Sequence, residues 1–378
     1  MTPADRMRED RQRTNPLFND RKLKLGTFCS NLDYGCAIST IPGTLRISWP
    51  NTLALAKLAD EMSFEALVPV GRWRGFGGKT NFNGAGFESY TWAAGIGALT
   101  RNSAVFATSH VPTVHPIMAA KQGATIDHIT GGRFVLNLVT GWNKPEIEMF
   151  GNDLAEHDTR YEMAEEWISI IRRLWTEQEE FDFDGRFYRI RRGYLQPKPI
   201  QLPNPVIMNA GGSPRGRRFA AQFADVAFTA VDSHDISQVR AQVDAYRKAA
   251  FEAHGGSIQV WTNAYIVQGE TEREAQDFVR YYVDENGDWE AASNLVESMG
   301  LNAMTFPPGA LQELKRHFVG GWAGFPLIGT REQIVDGLSM LANEAGFDGV
   351  LLSWARYEEH MREFQDTTLP LLVQAGLR

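Results

Sequence analysis

The segment NAGGSPRGRRFAAQFAD, residues 209–225, has the residue types of an anion site. An apolar run ends in a glycine turn, Ser213 stands in capping position, and Pro214 enters the first turn of a helix. Backbone N–H groups of Gly212 and Ser213, the Ser213 hydroxyl and an arginine such as Arg215 have the form of a phosphate cradle at the positive end of that helix. An ordinary capped turn uses the same residues, and residue type leaves both readings open. A second signal is Asn137, a polar residue inside the apolar run RFVLNLV and followed by Thr140, Gly141 and Trp142. A buried amide needs partners: either neighbouring backbone supplies them, or the amide meets the edge of a bound heterocycle. Trp142 then lines a pocket or simply fills space.

Other chemistries are excluded by spacing. His110, His115, His128 and His157 form no pair at metal-binding spacing, and no HExxH, GxSxG or Walker sequence occurs. No metal site is expected. The glycines of GRWRGFGGKT, residues 71–80, precede no convincing helix, so they read as a pliable Arg- and Gly-rich lid or a plain surface loop rather than a dinucleotide turn. Cys29 and Cys36, the two cysteines, are too few for a disulfide framework and read as free thiols.

These residues need elements to hold them. Eight strand-like runs alternate with amphipathic helical patterns: residues 23–28, 66–70, 104–108, 133–139, 205–210, 225–230, 259–267 and 349–354. That alternation predicts an α/β fold, a closed (β/α)8 TIM barrel with insertions. Residues 1–20, dense in Arg and Asp, read as a flexible N-terminal arm or one lying across a neighbouring subunit. Residues 21–378 read as one barrel domain with insertions near 71–87, 141–157, 180–200 and 299–329, the third a hairpin turning at Asp184-Gly185. In such barrels the loops after the strands carry the chemistry. That rule selects Cys29, Ser30 and Asn31; Arg72, Trp73 and Arg74; Thr108 and His110; Asn137, Thr140 and Trp142; and the capped turn at Ser213.

Of the 378 residues, 43% are hydrophobic and 22% charged, enough for a large core, and the formal charge of −8 includes no basic stripe for nucleic acid. No apolar run is long enough for a membrane span, and the charged N-terminus lacks the core of a secretory signal, so a cytoplasmic enzyme is expected.

Four separated motifs now arrive in order: RGFGGKTNF, ATIDHITGGRFVLNLVTGWNKPE, HDTRYEMAEEWI and DGRFYRI. Together they resemble the bacterial luciferase-like, FMNH2-using monooxygenases, closest to the pyrimidine (uracil) monooxygenase branch and with likeness to the dimethyl sulfone and alkanesulfonate monooxygenases. The similarity runs from Leu23 onward and is weakest between about 270 and 325. It implies a barrel with insertions that binds FMN without a covalent link, receives it reduced from a separate NAD(P)H flavin reductase, reacts it with O2, and assembles as a homodimer or homotetramer. It also implies FMN contacts from Gly71, Arg72, Asn137, Glu146, Arg160, Tyr161 and Ser213, the last being the cap already described. Thr108, Asn137 and Trp142 match the positions where dioxygen meets the flavin: a hydroxyl and an amide to orient it, an indole to exclude water.

The implied reaction is oxygenation and opening of a small nitrogen heterocycle. Departures from the pyrimidine pattern cluster where a substrate would sit: Gly71-Arg72 in place of an aliphatic residue and lysine, Trp73 beside them, and His110 and His115 in SHVPTVHP. Arg74, His110 and His115 are therefore the substrate candidates. The alternatives are a sulfone or sulfonate monooxygenase in which Arg72 and Arg74 hold an anion, a flavin-degrading lyase of the same fold, a flavin- or F420-binding protein without oxygenase activity, and a non-catalytic partner subunit.

Overall fold

In chain order the strands are β1 (Lys24–Phe28), β2 (Ala66–Val68), β3 (Ala104–His110), β4 (Phe134–Val139), β5 (Phe181–Asp184), β6 (Arg189–Gly193), β7 (Val206–Asn209), β8 (Val226–Phe228), β9 (Gln259–Gln268), β10 (Phe325–Gly329) and β11 (Gly349–Trp354). A computed structural model describes them, covering residues 11–231, 235–301 and 309–378. Eight strands, β1-β2-β3-β4-β7-β8-β9-β11, pair in parallel in that order, and β11 returns to β1. With helices between successive strands this is the (β/α)8 barrel that the alternation predicts. β2 stops at Val68 because Pro69 has no N–H for the ladder.

Strand parity decides what reaches the active face. Ala104, Phe106, Val135, Met208, Trp261 and Leu351 fill the barrel interior, whereas Val105, Ala107, Leu136 and Leu138 pack under the helices. Side chains alternate along a strand, so Thr108 and His110 follow Phe106 inward, and Asn137 follows Val135. The bulk of Trp261 requires a glycine opposite: a Cβ on Gly349 would stand 2.3 Å from the indole.

The excursions differ from their expected form. Residues 180–200 do contain the antiparallel hairpin, β5 with β6, and the Glu166 carboxylate pins its turn by accepting N–H bonds from Arg186, Phe187 and Tyr188. Residues 141–157 include a short helix, Lys144–Met149. The stretch 299–329 is no plain insertion: residues 302–308 lie outside the described ones, but Ala310–Gly321 is a helix and β10 adds a ninth parallel strand to β9. β9 is long enough to pair with β8 at its start and β10 at its end, on the stretch that the three-residue β8 leaves uncovered.

The second half of the expected flexible arm is tied down; residues 1–10 of it lie outside the described ones. Leu17 is fully buried beneath the barrel interior, the Asn15 amide donates to Gln201 at 3.0 Å, and Arg11 pairs with Asp225 at 2.5 Å. The apolar Leu17 has a dry floor to fill, which the flanking charges conceal in the sequence. Glu65, also buried, completes the floor. Its carboxylate accepts from Asn19 (2.9 Å), Arg21 (2.7 Å), the β1 backbone at Leu25 (2.8 Å) and the C-terminal Arg378 (2.6 Å). Glu65→Gln leaves two arginines without their counter-charge, and we expect a loss of about 3 kcal/mol of stability, read from the urea midpoint. A midpoint unchanged from the parent protein would show that the floor does not depend on this carboxylate.

Candidate active site at the barrel mouth

Thr108 and Asn137 face one another in register across β3 and β4. The Asn137 Nδ2 donates to Thr108 Oγ1 at 3.0 Å, and the Thr108 hydroxyl donates to the Pro69 carbonyl at 2.5 Å. This relay fixes the amide's orientation, since the reverse would leave the Pro69 carbonyl without its donor. Asn137 Oδ1 is then left buried, with no hydrogen-bond partner among the described residues. Here the structure revises the expected roles: the Thr108 proton is spent on backbone, and the pit presents an acceptor. A buried acceptor calls for an N–H or O–H from a bound molecule.

Above the pit, the loop 71–87 is held rather than pliable. Asn31 clamps both ends, accepting from the Val70 N–H (2.9 Å) and donating to the carbonyls of Val70 (2.9 Å) and Phe87 (3.0 Å). Asp288 takes the Thr80 N–H (2.6 Å) and hydroxyl (2.8 Å). Glu146 holds the middle: its Oε1 accepts from the Trp73 N–H (2.7 Å) and Arg74 N–H (3.1 Å), and its Oε2 from Arg72 Nη1 (3.1 Å). The glycines supply close approach rather than mobility. A Cβ on Gly71 would stand 2.8 Å from the His110 ring and 3.1 Å from the Thr108 carbonyl.

The Arg72 guanidinium lies 4.8 Å from the Phe76 ring centre, 5.2 Å from Trp142 and 6.0 Å from Trp322, an aromatic enclosure for a cation. Phe76 and Trp142 are parallel, 6.3 Å apart. Burial lowers the Arg72 pKa, and the adjacent Glu146 carboxylate opposes that shift. At neighbouring His110 the two effects add: burial first, then the Arg72 charge, push its imidazole down to about 3.

The Ser213 cap also forms. Ser213 caps the helix Pro214–Phe223, its Oγ accepting from the Gly216 N–H at 3.0 Å and lying 3.1 Å from His157 Nε2. Gly212 has open space beside it. Tyr161 packs against Ser213 and Thr140, its phenol pKa raised by burial. Arg160 donates to the Gly141 carbonyl, and its buried Nε has no partner among the described residues. These groups fit a phosphate with its polyol chain. Arg215, expected to join them, is instead engaged by Glu165 at 2.7 Å and lies over the Tyr161 ring.

The structure thus brings Gly71, Arg72, Thr108, His110, Asn137, Trp142 and Glu146 to one mouth, with Arg160, Tyr161, Gly212 and Ser213 around the cap. It separates two others. Arg74 is exposed on the rim. His115 is the exposed cap of the helix Pro116–Thr130, its Nδ1 accepting from the Ile117 N–H at 3.3 Å. Sequence reasoning missed Tyr90, whose buried hydroxyl meets the Ser109 side chain, along with Phe76, Trp322 and His157. Phe76 and His157 stand inside the quoted motifs, whereas nothing local marks Tyr90 or Trp322. Among the described residues no cluster of three or more His, Cys, Asp or Glu is placed to hold a metal, and no helix is long and apolar enough to cross a membrane.

The sequence model of a family described as luciferase-like monooxygenase matches residues 25–353. An FMNH2-dependent dimethylsulfone monooxygenase of Pseudomonas putida is 32% identical, covering 93% of this chain and 95% of its own. The pyrimidine monooxygenase RutA of Escherichia coli is 30% identical, covering 93% and 96%. Among solved structures, a riboflavin lyase superposes with a TM-score of 0.83 at 20% identity over 94% of this chain and 92% of its own, a likeness of fold.

The buried histidine makes acid stability testable. Below pH 6.5 the unfolded chain protonates this imidazole while the folded chain does not until about 3, so its contribution is whole above 6.5 and is lost as pH falls towards 3. We expect His110→Gln to lessen the drop in urea midpoint between about pH 7 and about pH 4.5. Equal drops in both proteins would contradict a neutral buried imidazole.

Proposed function

This chain belongs to the luciferase-like monooxygenase family, and from that premise we propose that it oxygenates and opens a small, pyrimidine-like nitrogen heterocycle with reduced FMN and dioxygen. The reduced flavin comes from a separate NAD(P)H flavin reductase, a reading supported by the FMNH2-dependent name of the Pseudomonas relative. Bound reduced FMN supplies the electrons that activate dioxygen.

The residues divide the remaining work. Ser213, Gly212, Arg160 and Tyr161 hold the phosphate end. Gly71 lets the loop approach closely, and Arg72 lies beside the ring's place with Glu146 fixing it. Asn137 carries the reading: its unpartnered, buried Oδ1 accepts an N–H, a group present on a reduced flavin ring and on a pyrimidine. Thr108 keeps that amide from turning. Trp142, stacked on Phe76, excludes water from the reacting atoms.

A second reading, oxygenation of a sulfone, is supported by the sulfone relative's 32% identity over nearly the whole chain. Against it, a sulfone offers only acceptors to Asn137. Exposed Leu99, Ile117, Met118 and Ile129, on the contacting helices Ser89–Leu99 and Pro116–Thr130, support a homo-oligomer that sedimentation would detect.

Turnover with a flavin reductase and mass detection of products, over uracil, dimethyl sulfone, methanesulfonate and riboflavin, tests the substrate. A product from uracil, larger by oxygen, is expected, and turnover of riboflavin alone would overturn the reading. In Asn137→Ala we expect product formation to fall about 100-fold with the fold retained; normal turnover would remove Asn137 from the reaction. Ser213→Ala should weaken FMN by about 1–2 kcal/mol while leaving riboflavin, which lacks the phosphate, unaffected. Equal losses for both flavins would place the phosphate elsewhere.

A further inference from the structure

We propose that the mouth selects an uncharged substrate and refuses an anion, and that Glu146 is the residue that sets this preference; the inference rests on the oxygenase reading above. In the sequence, Arg72 is the natural counter-charge for a sulfonate or carboxylate. In the structure its charge is already answered. The side chains of Arg72 and Glu146 are 3% and 2% exposed and meet at 3.1 Å. An incoming anion would have to displace a buried carboxylate, or share the guanidinium with it at close range where water does not screen the repulsion.

Glu146 cannot easily turn aside. Its other oxygen holds the backbone N–H groups of Trp73 and Arg74 at 2.7 and 3.1 Å, so moving it would unpin the loop. On the other side the guanidinium is enclosed by Phe76, Trp142 and Trp322, which offer no donor to an anion except an indole edge.

The remaining polar groups are equally unsuited to negative charge. The Ser89 hydroxyl donates to the Thr108 carbonyl at 2.8 Å, and the Thr108 hydroxyl to Pro69 at 2.5 Å. One Asn137 amide proton goes to Thr108 Oγ1, and its buried carbonyl oxygen has no partner among the described residues. His110 is buried as neutral imidazole, Cys29 beside Arg72 is held as the thiol by burial, and Glu88 lines the same cavity with a further carboxylate. Arg74 is the nearby unburied cation, and solvent screens it at the rim. Buried Tyr90 meets the Ser109 side chain with its hydroxyl. The open groups are the Asn137 acceptor and the buried Nε–H of Arg72, whose charge Glu146 already answers, and an acceptor near a donor suits the N–H and carbonyl of an uncharged molecule.

The test uses matched pairs, uracil with orotate and dimethyl sulfone with methanesulfonate, titrated calorimetrically into the FMN-loaded protein. The uncharged member of a binding pair should bind about tenfold or more tightly than the anion. An anion that binds as tightly as its neutral partner would overturn the proposal. A neutral preference seen with the sulfone pair alone would sink the heterocycle reading and leave this one standing. A second arm needs no substrate. In Glu146→Gln, whose carbonyl oxygen can still accept from the loop, iodide quenching of Trp142 and Trp322 beside Arg72 should become saturable and methanesulfonate should compete for it. A folded, FMN-binding Glu146→Gln protein with no gain in anion binding would overturn the proposal. So would a change in preference produced by Arg74→Ala instead.

Discussion

A single buried carboxylate organises the active face. Glu146 stands near the start of a short helix after β4, yet its carboxylate accepts from residues 72–74, in the loop after β2. Leaving such a group unsatisfied costs several kcal/mol, so its partners are effectively obligatory. Meeting that need ties two loops together across the barrel mouth, orients Arg72, and thereby arranges Phe76, Trp142 and Trp322 around a cation. The loop owes its rigidity to this demand rather than to its own composition, which is rich in glycine.

The two ends of the barrel answer different demands. At the floor, the chain itself answers the buried carboxylates and Arg133. Arg133 spends its guanidinium on the carbonyls of Thr130, Ser103, Gly97 and Thr100. Burial pushes the Asp60 carboxyl up, but N–H bonds from Arg101, Asn102 and Ser103 outweigh it and hold the group below its ordinary value. At the mouth the accounting is left open: Asn137 Oδ1 and the Nε atoms of Arg72 and Arg160 lack partners among the described residues. Carboxylates answered within the floor and an open amide oxygen at the mouth separate scaffold from site in this fold. The difference is chemical as well as positional.

The motifs that carry the family resemblance fall mostly on the scaffold side. In TIDHITGGR, Asp127 accepts from Ile200, from Gln201 and from its side chain, while Thr130 and Arg133 tie the loop before β4. Glu166 of the HDTRY helix pins the hairpin. Such residues identify the barrel without saying what it oxidises. That explains how sulfone and pyrimidine relatives come to stand at nearly equal identity over the same span. Under the proposed function, substrate choice rests on few side chains, set by the fate of protons and charges around Thr108, Asn137 and Arg72.

The sequence by itself determined the barrel, because eight apolar runs of strand length alternating with amphipathic helices have few other ways to bury their faces. It also determined the Ser213 cap, a local device of consecutive residues, and the hairpin at Asp184-Gly185. What it hid depends on partners distant in the chain. The strand β10 is a short run that gains meaning only beside the overhang of β9; Leu17 seals the floor 242 residues before Gln259, which donates to its carbonyl; and the supposed lid is fixed by Asn31, Glu146 and Asp288. Only the tertiary structure decided that the Thr108 proton is spent, that Asn137 offers an acceptor, and that Arg72 is neutralised by Glu146 while Arg215 is taken by Glu165. Residue type states which groups can donate, accept or carry charge; their availability is settled by whichever neighbours folding brings within reach.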